Sequence, residues 1–459
     1  MEYKQTGYWW FISEPAERFH GTLTFDPQEG GSLVITVPKK IAQSFWGKNK
    51  LETIHGKTIS GRKVSLFNCY KYRSSVPISE QHGTLKVIVN RILDGFHLPS
   101  LTDNNIISCS VSFNSLNEWV GNPGIEVNYI QSTRDFDIFC RKPAKTKFEV
   151  SNGLSITIEI PFLMVSDPSC FRGETTLSSY YRMKIDSSEP KSCIYFFNLI
   201  GILQDFFTIA SLTYTIPYGI QLVGDFNSQI NGEEANALYA FSSSQEAKPP
   251  EHPKEMLFQF KDTEGDISKI LGNWIQKASL LKPVISLYCT GVYSPNLYPE
   301  AQFLNLIQAA EVFHRRFRGG TYINPEAYEI EWLPKIQDSI PPDLPYREPI
   351  FEKLKYLNEF SLPKRLKDLF KENKAIVKLF NLEKPEKMTK KISGYRNYLT
   401  HYANEKDNLE VRKVVECVNV LRLILEMSFL REMGFSEDKI NELIKRNEVY
   451  SFLVLPRSS

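Results

Sequence analysis

Arg396 and His401 are the two residues of this sequence whose types and spacing fit them for chemistry. They begin and end a six-residue segment, Arg396-Asn397-Tyr398-Leu399-Thr400-His401. An arginine side chain stabilises the charge of a phosphate group, and a histidine takes up or releases a proton near neutral pH. The pair therefore has the groups needed to cut RNA without a metal ion.

The segment that carries this pair is predicted to be a helix. Its apolar side chains repeat at intervals of three and four residues, which is the pattern of one buried face: Met388, Ile392, Tyr395, Leu399 and Tyr402. At about 100° per residue, the opposite face carries polar residues and one glycine: Lys387, Lys390, Gly394, Asn397, His401 and Asn404. We expect a groove or a second subunit to dock on this face, and we expect Lys387, Lys390 and Asn404 to contact RNA.

Arg396 lies between the two faces, about 140° from His401 around the helix axis. Two explanations remain open: the helix is distorted, or a second copy of the chain completes the site. Asn397 lies one turn before His401 and is predicted to hydrogen-bond to its ring or to a phosphate, or else to be an ordinary solvated side chain. His401 itself has an alternative role, in which it only caps or packs the end of its helix.

The Arg-Asn-x3-His form of this segment, on a helix in an all-helical C-terminal region, resembles the HEPN ribonuclease superfamily. Upstream, the segment from Phe303 to Arg316 is similar to the first helix of ApeA-like HEPN domains. Further segments in the N-terminal half are similar, in order, to the strand pattern of the domain that precedes HEPN in ApeA anti-phage proteins: Gly21–Phe25, Ile54–Gly56, Val64–Leu66 and Asn117–Trp119.

The resemblance implies that two copies dimerise so that their motifs face each other. It implies that His401 activates a ribose 2′-OH or protonates the leaving 5′-oxygen, while Arg396 stabilises the charged phosphorane. The products would carry a 2′,3′-cyclic phosphate, with no metal and no cofactor. It also implies host RNA as the target, first of all tRNA in its anticodon loop. The N-terminal domain would be the sensor and restraint, with a phage-derived trigger acting on exposed loops such as Asn122–Gly124 and Asn227–Gly232.

Two further residues lie on a predicted helix from Pro299 to Arg318. Glu311 is at the edge of its apolar stripe, so it is a candidate to orient Arg396 across the bundle, although an ordinary salt bridge is the favoured interpretation. His314 lies within the apolar stripe and is interpreted as a buried histidine of the core.

The sequence predicts an α+β protein with two domains. Residues 1–255 contain many short segments of period-two alternation with Gly, Asn and Pro turns, which favours a mostly antiparallel β sandwich or barrel-like domain. Residues 256–459 begin with a predicted strand, Leu257 to Phe260, and then show helical periods, which favours an all-α bundle of the HEPN type with its core at about 298–433. The boundary is placed after a linker-like Ser- and Pro-rich stretch.

Composition and motifs exclude several classes. The seven cysteines are scattered, odd in number and without a CxxC pair, so neither disulfides nor a zinc site is indicated. A cytoplasmic location is expected, because the N-terminal residues lack the pattern of a signal peptide. The apolar stretch from Cys193 to Ile216 contains polar residues and is predicted to be a buried helix, so no membrane contact is expected. The sequence has no P-loop, GxGxxG, HExxH or GxSxG motif.

The net charge of +2 is too small to indicate nucleic-acid binding, but the charged residues are unevenly distributed along the chain. Between Phe351 and Lys391, twelve Lys or Arg residues stand against six Asp or Glu residues, a local charge of +6 that would attract a polyanion. A ribonuclease is the leading hypothesis. The alternatives are a non-catalytic HEPN-type interaction or RNA-binding module with a ligand-binding β domain, and, ranked lower, a carbohydrate-binding β domain.

Overall fold

The structure is a computed structural model, and it divides into two compact units, Met1–Ile275 and Gln276–Ser459. The boundary falls within a helix, later in the chain than the predicted boundary at residue 255. The residues that the structure describes are 3–27, 29–44, 49–75, 81–121, 124–130, 135–150, 153–161, 163–166, 176–225, 233–239, 248–294, 296–379, 384–401 and 410–453.

A closed antiparallel barrel begins the first unit. Its elements in chain order are Tyr3–Phe11 (β1), Phe19–Asp26 (β2), Gly30–Pro38 (β3), Lys39–Ser44 (α1), Lys50–Leu51 (β4), Ile54–Thr58 (β5), Lys63–Ser75 (β6) and His82–Gly95 (β7). The strands pair in the order β7-β3-β2-β1-β5-β6, and β6 pairs again with β7, which closes the ring. Alternate side chains such as Trp9, Leu33 and Val87 are buried inside, as the period of two requires.

Gly56 shows how tightly the barrel is filled. A Cβ at this position would lie 2.2 Å from Cε3 of the buried Trp9. The indole Nε1 of Trp9 donates a hydrogen bond to Gly21 O at 3.1 Å, so the one polar atom of this ring is satisfied inside the barrel.

The sheet continues from the barrel through a second set of strands. The elements are Asn104–Phe113 (β8), Leu116–Val120 (α2), Ile125–Ile130 (β9), Asp135–Cys140 (β10), Thr146–Val150 (β11), Leu154–Glu159 (β12), Leu163–Ser166 (β13), Thr176–Ser179 (β14), Arg182–Ser192 (β15), Cys193–Ser211 (α3), Pro217–Gly224 (β16) and Glu233–Tyr239 (β17). From β7 the order is β17-β16-β8-β15-β12-β11, while β9 pairs with β10 and β13 with β14 in separate two-stranded sheets. The predicted antiparallel β domain is therefore confirmed.

Helix α3 packs on β8, β15 and β16. By length and composition it is apolar enough to cross a membrane, but 56% of its most apolar 18-residue stretch is buried within the protein. This burial fits the core helix predicted from the sequence. The predicted strand at Leu257 to Phe260 is wrong. The backbone N–H groups of Leu257 and Phe258 donate to Ala210 O at the end of α3, at 2.8 and 3.4 Å, and a 3₁₀ turn follows at Phe260–Thr263.

Helices make up the second unit, as predicted. They are Ile267–Tyr293 (α4, which begins in the first unit), Pro299–Phe317 (α5), Pro325–Ala327 (α6), Leu333–Asp338 (α7), Arg347–Leu354 (α8), Leu362–Glu372 (α9), Lys374–Leu379 (α10), Pro385–His401 (α11), Val411–Met433 (α12) and Glu437–Arg446 (α13), with a π turn at Tyr328–Trp332 and a 3₁₀ turn at Glu448–Leu453. Helix α5 packs against α9, α11 and α12.

A buried carboxylate joins three parts of this bundle. Glu426 of α12 is fully buried and accepts hydrogen bonds from the hydroxyls of Tyr288 in α4 and Tyr450 in the C-terminal 3₁₀ turn. Arg422 Nη2 lies 3.6 Å from the same carboxylate and balances its charge. Burial, followed by the charge of Glu426, raises the pKa of both tyrosines, so both remain neutral donors.

Candidate active site

Helix α11 carries Arg396, Asn397 and His401, and it is fixed by its apolar side. Met388 and Ile392 are buried, and the ring of Tyr395 packs edge-on against Phe303 of α5, with centroids 6.5 Å apart. Lys391 Nζ also lies 2.9 Å from Glu416 Oε2 of α12. The apolar repeat thus positions the helix as the sequence predicts, and the opposite side of the helix remains exposed.

The side of α11 opposite this packing is exposed along its length. Lys387, Lys390, Gly394, Asn397 and His401 are all exposed. A Cβ at Gly394 would meet nothing within 4 Å, so this glycine is not required by packing inside the chain. We call these five residues the α11 face. Asn404, predicted to contact RNA, lies outside the described residues.

Asn397 contacts the guanidinium of Arg396. Arg396 is half-buried, and its Nη1 donates to Asn397 Oδ1 at 3.3 Å. Asn397 and His401 lie one turn apart on the same face, so the guanidinium contacts a residue of the face that carries His401. The hydroxyl of Thr400 donates to Arg396 O at 2.7 Å, a back-bond that bends helices slightly, yet α11 stays α-helical to His401. Among the described contacts, no hydrogen bond joins Arg396 to His401.

Glu311 pairs with a residue other than Arg396, the partner considered from the sequence. It forms an ion pair with Arg315 one turn later in α5, at 3.4 Å, and Arg315 also pairs with Glu359. In the described part of the chain no bond joins Glu311 to Arg396. The ordinary salt bridge is what the structure contains, and a role in orienting Arg396 stays a prediction.

His314 is a core histidine, and its partner Arg365 was not singled out from the sequence. The two side chains are 2% and 1% exposed. Arg365 Nη1 lies 3.2 Å from His314 Nδ1 and donates to Gly319 O at 2.8 Å, while Arg365 Nε donates to Phe360 O at 3.0 Å. Burial, followed by the charge of Arg365, lowers the pKa of His314. Nothing in the sequence distinguishes Arg365 from the other basic residues around it.

The basic stretch between α8 and α11 is partly neutralised. Lys364 pairs with Asp368 at 2.7 Å, Lys367 lies 3.8 Å from Glu386, and Lys391 pairs with Glu416. Other lysines of the stretch are exposed, among them Lys371, Lys374, Lys378, Lys387 and Lys390. Two of these lie on the α11 face beside Asn397 and His401. A polyanion at that face would therefore meet positive charge as well as the Arg396 and His401 side chains.

The described residues contain no group of three or more His, Cys, Asp or Glu side chains that could hold a metal ion. Six cysteines lie among the described residues, and five of them are buried. The α11 face offers an imidazole, an amide and two ammonium groups, and the guanidinium of Arg396 lies beside it. This set can bind a phosphodiester and move a proton at it.

Comparison with protein-family models gives two matches that together span most of the chain. Residues 4–274 match the model described as ApeA N-terminal domain 1. Residues 304–439 match the model described as Apea-like HEPN, and this segment contains α11. Searches of curated proteins and of solved structures gave no significant match. The first match covers more than half of the chain, and the second covers the helices around the site.

Proposed function

This chain belongs to the ApeA family of HEPN proteins, an anti-phage nuclease family, and we propose that it is a metal-independent endoribonuclease with Arg396 and His401 as its catalytic residues. The observation that supports this most strongly is the exposed end of α11, where an Arg-Asn-x3-His segment lies on an otherwise packed helix inside the HEPN match. Asn397 is the supporting residue of the site, because it holds the guanidinium.

In the proposed reaction the nucleophile belongs to the substrate. The ribose 2′-oxygen attacks the adjacent phosphorus, the bond from phosphorus to the 5′-oxygen breaks, and a 2′,3′-cyclic phosphate remains. A His401 imidazole accepts the proton of the 2′-OH, and an imidazolium gives a proton to the leaving 5′-oxygen. Arg396 stabilises the extra charge on the phosphorane through charge-assisted hydrogen bonds.

Two copies of the chain supply both proton-transfer groups in this proposal. One His401 serves as base and the other as acid when two α11 faces meet across a two-fold axis. Gly394 favours this arrangement, because the face has no side chain at its centre and no described residue fills that space. In a homodimer, or a higher even oligomer, a second copy of the chain also completes the site, although Arg396 and His401 are separated around a single helix.

The proposed substrate is RNA with an accessible single-stranded loop, first of all the anticodon loop of tRNA. In a loop, the ribose can turn its 2′-OH in line with the leaving oxygen, which a regular duplex prevents. Lys387 and Lys390 on the α11 face are proposed to bind flanking phosphates, as is Asn404. We place the activity in the cytoplasm, where host tRNA is found.

The β unit is proposed to sense infection and restrain the nuclease. The barrel has a cleft of about 390 Å³ on the side formed by β2, β3, β6 and β7, lined by Thr24, Phe25, Asp26, Glu29, Gly30, Gly31, Ser32, Tyr72, Lys86 and Ile88. Tyr72 is 63% exposed there, with Lys86 Nζ 5.1 Å from its ring centroid. A phage-derived trigger in this cleft needs to favour the active state by only a few kcal/mol. Of the loops predicted to meet the trigger, residues 122–123 and 227–232 lie outside the described residues.

Purified protein incubated with tRNA tests the proposal. Wild type should cleave in EDTA, while His401→Ala and Arg396→Ala should not. His82→Ala, which removes an exposed histidine of the β unit, should cleave as wild type does. The rival proposal is a non-catalytic HEPN-type module that binds RNA or a partner. It predicts binding without cleavage by wild type, and equal behaviour of wild type and His401→Ala.

A further inference from the structure

A long segment connects α5 and α9 in the helical unit, and hydrogen bonds join its two ends. We call residues 321–358 the insertion. Thr321 and Glu359 form an antiparallel bridge, and the side chain of Asn358 exchanges two hydrogen bonds of 2.8 Å with the backbone of Ile323. Phe360 N–H donates to Gly320 O at 3.0 Å, and Arg365 binds Gly319 O. The neck of the insertion is therefore a fixed structure joined to the core, and its surface is presented in a defined position.

The insertion buries little of its apolar content and exposes much of it. Tyr328 is its buried anchor, with its hydroxyl donating to Leu354 O at 2.6 Å. In contrast, Ile330 is 80% exposed, Tyr346 82%, Tyr356 68% and Leu357 58%. Tyr346 also adopts φ +62°, a left-handed conformation that is strained for a bulky residue. Several large apolar side chains of one segment are thus exposed, and such side chains are candidates for contact with another molecule.

The charge of the insertion indicates which class of molecule that is. It contains seven Asp or Glu residues against four Lys or Arg residues, a net charge of −3. Two of the basic residues are paired within the insertion, Lys335 with Glu331 and Lys355 with Glu352. Such a surface repels a nucleic acid. It fits a protein surface that combines basic residues with apolar contacts.

A surface of the required charge lies on the same unit, on the helices that follow the insertion. Lys371, Lys374 and Lys378 are exposed at the end of α9 and along α10. An acidic patch and a basic patch on one unit are self-complementary across a two-fold axis, because each copy then offers both halves of the contact to the other. Neither patch includes a residue of the α11 face.

We propose that the insertion docks on the Lys371, Lys374 and Lys378 surface of a second copy of this chain. Glu326 and Glu329, both exposed, supply the acidic side, and the neighbouring Ile330 supplies an apolar contact. This is a contact between copies in addition to the one at the α11 face, and it does not depend on nuclease activity. Its electrostatic part weakens as salt rises, because exposed charges are screened over about 8 Å at physiological ionic strength.

A charge swap tests the contact, with self-association of the full chain measured by sedimentation without RNA. All variants carry His401→Ala, so that failure of the nuclease proposal has no effect on the result. They also carry Gly394→Trp, which blocks the contact at the α11 face, so that the association measured is that of the insertion. Glu326→Lys with Glu329→Lys should weaken association at least tenfold, and Lys374→Glu with Lys378→Glu should do the same. All four substitutions in one chain should restore association to within about threefold, since each contact is again of opposite charge. Asp438→Lys, on exposed α13, is the matched control and should change nothing.

Each outcome decides the proposal. Restored association of the four-fold variant supports it. A lower association constant for Ile330→Asp supports the apolar part of the contact. Circular dichroism establishes that each variant is folded before its constant is used. Unchanged association of both charge-reversed pairs overturns the proposal, as does failure of the four-fold variant to restore association. A change in tRNA affinity with unchanged association also overturns it and assigns the insertion to RNA.

Discussion

Asn397 Oδ1 accepts a hydrogen bond from Arg396 Nη1 at 3.3 Å, so the residue next to the arginine in sequence also contacts its guanidinium in space. Asn397 projects from the same exposed side of α11 as His401, one turn away. The asparagine thus contacts Arg396 from the side of the helix on which His401 lies. Its contact is made to a charged group, which gives it more effect than a neutral hydrogen bond.

Asn397→Ala should lower the rate of RNA cleavage by about tenfold, which corresponds to about 1.4 kcal/mol of transition-state stabilisation. The loss should appear in kcat, because the arginine is mispositioned while the lysines that bind RNA remain. Asn397→Asp keeps an acceptor for the guanidinium and should retain more activity than the alanine variant. Single-turnover kinetics measure both. Equal rates for Asn397→Ala and wild type would show that the contact does not serve the reaction.

Gly394→Trp should give a folded protein that no longer dimerises through the α11 face and no longer cleaves RNA. The position is exposed and a Cβ there meets nothing within 4 Å, so the substitution is tolerated within one chain. Gly394→Ala is the matched control, and it should stabilise the helix by about 1 kcal/mol. Sedimentation and cleavage assays are the measurements. An active Gly394→Trp protein, at concentrations where only monomer is present, would contradict assembly of the site between two copies.

Acid should destabilise the protein partly through His314. Burial and the neighbouring Arg365 lower the pKa of His314 in the folded state, whereas in the unfolded chain it is about 6.5. Between the two values the unfolded chain binds more protons, so the free energy of unfolding falls as the pH drops below about 6.5. His55 and His97, whose pKa values burial also lowers, act in the same direction.

The comparison of wild type with His314→Gln isolates this contribution. Urea unfolding between pH 7.5 and pH 5 should show the advantage of wild type over the variant shrinking as the pH falls, because only wild type gains a proton at this position on unfolding. A difference in unfolding free energy that stays constant over this range would mean that His314 does not titrate as its surroundings require.

Tyr72→Ala combined with Lys86→Ala should abolish protection against phage without changing RNA cleavage by the purified protein. Both residues line the barrel cleft, which is distant in sequence from the catalytic residues. Ile59→Ala, at an exposed position in the turn between β5 and β6, is the control and should protect as wild type does. Plating efficiency of phage and in vitro cleavage are measured in parallel. Normal protection by the double variant would place the trigger elsewhere.

The sequence predicts the elements around the site well, because each depends on a local pattern. The repeat of Met388, Ile392 and Tyr395 is sufficient to define both the helix and the side of α11 that stays exposed. Contacts between residues far apart in sequence are not encoded in such patterns. Arg365 binds the carbonyl of Gly319 and the ring of His314 because the ends of α5 and α9 meet in the fold.

The same limit accounts for what was missed in the β unit. Alternation predicts strands, but closure of the barrel depends on the pairing of β6 with both β5 and β7, a matter of register between distant strands. Leu257 and Phe258 resemble a strand in composition, yet their N–H groups bind Ala210 O at the end of α3. Their hydrogen-bond acceptor therefore lies at the end of a helix that is distant in sequence, and not on a neighbouring strand.

Mapping the ends of cellular RNA tests the central proposal most directly. Wild type, Arg396→Ala and His401→Ala are expressed in cells exposed to phage, and 5′ and 3′ ends are sequenced together with the chemistry of the 3′ end. New ends in single-stranded tRNA loops, carrying 2′,3′-cyclic phosphates, should appear in wild type alone, with the variants folded as judged by circular dichroism. The same ends in cells that express His401→Ala, or ends bearing a 3′-hydroxyl, would contradict it.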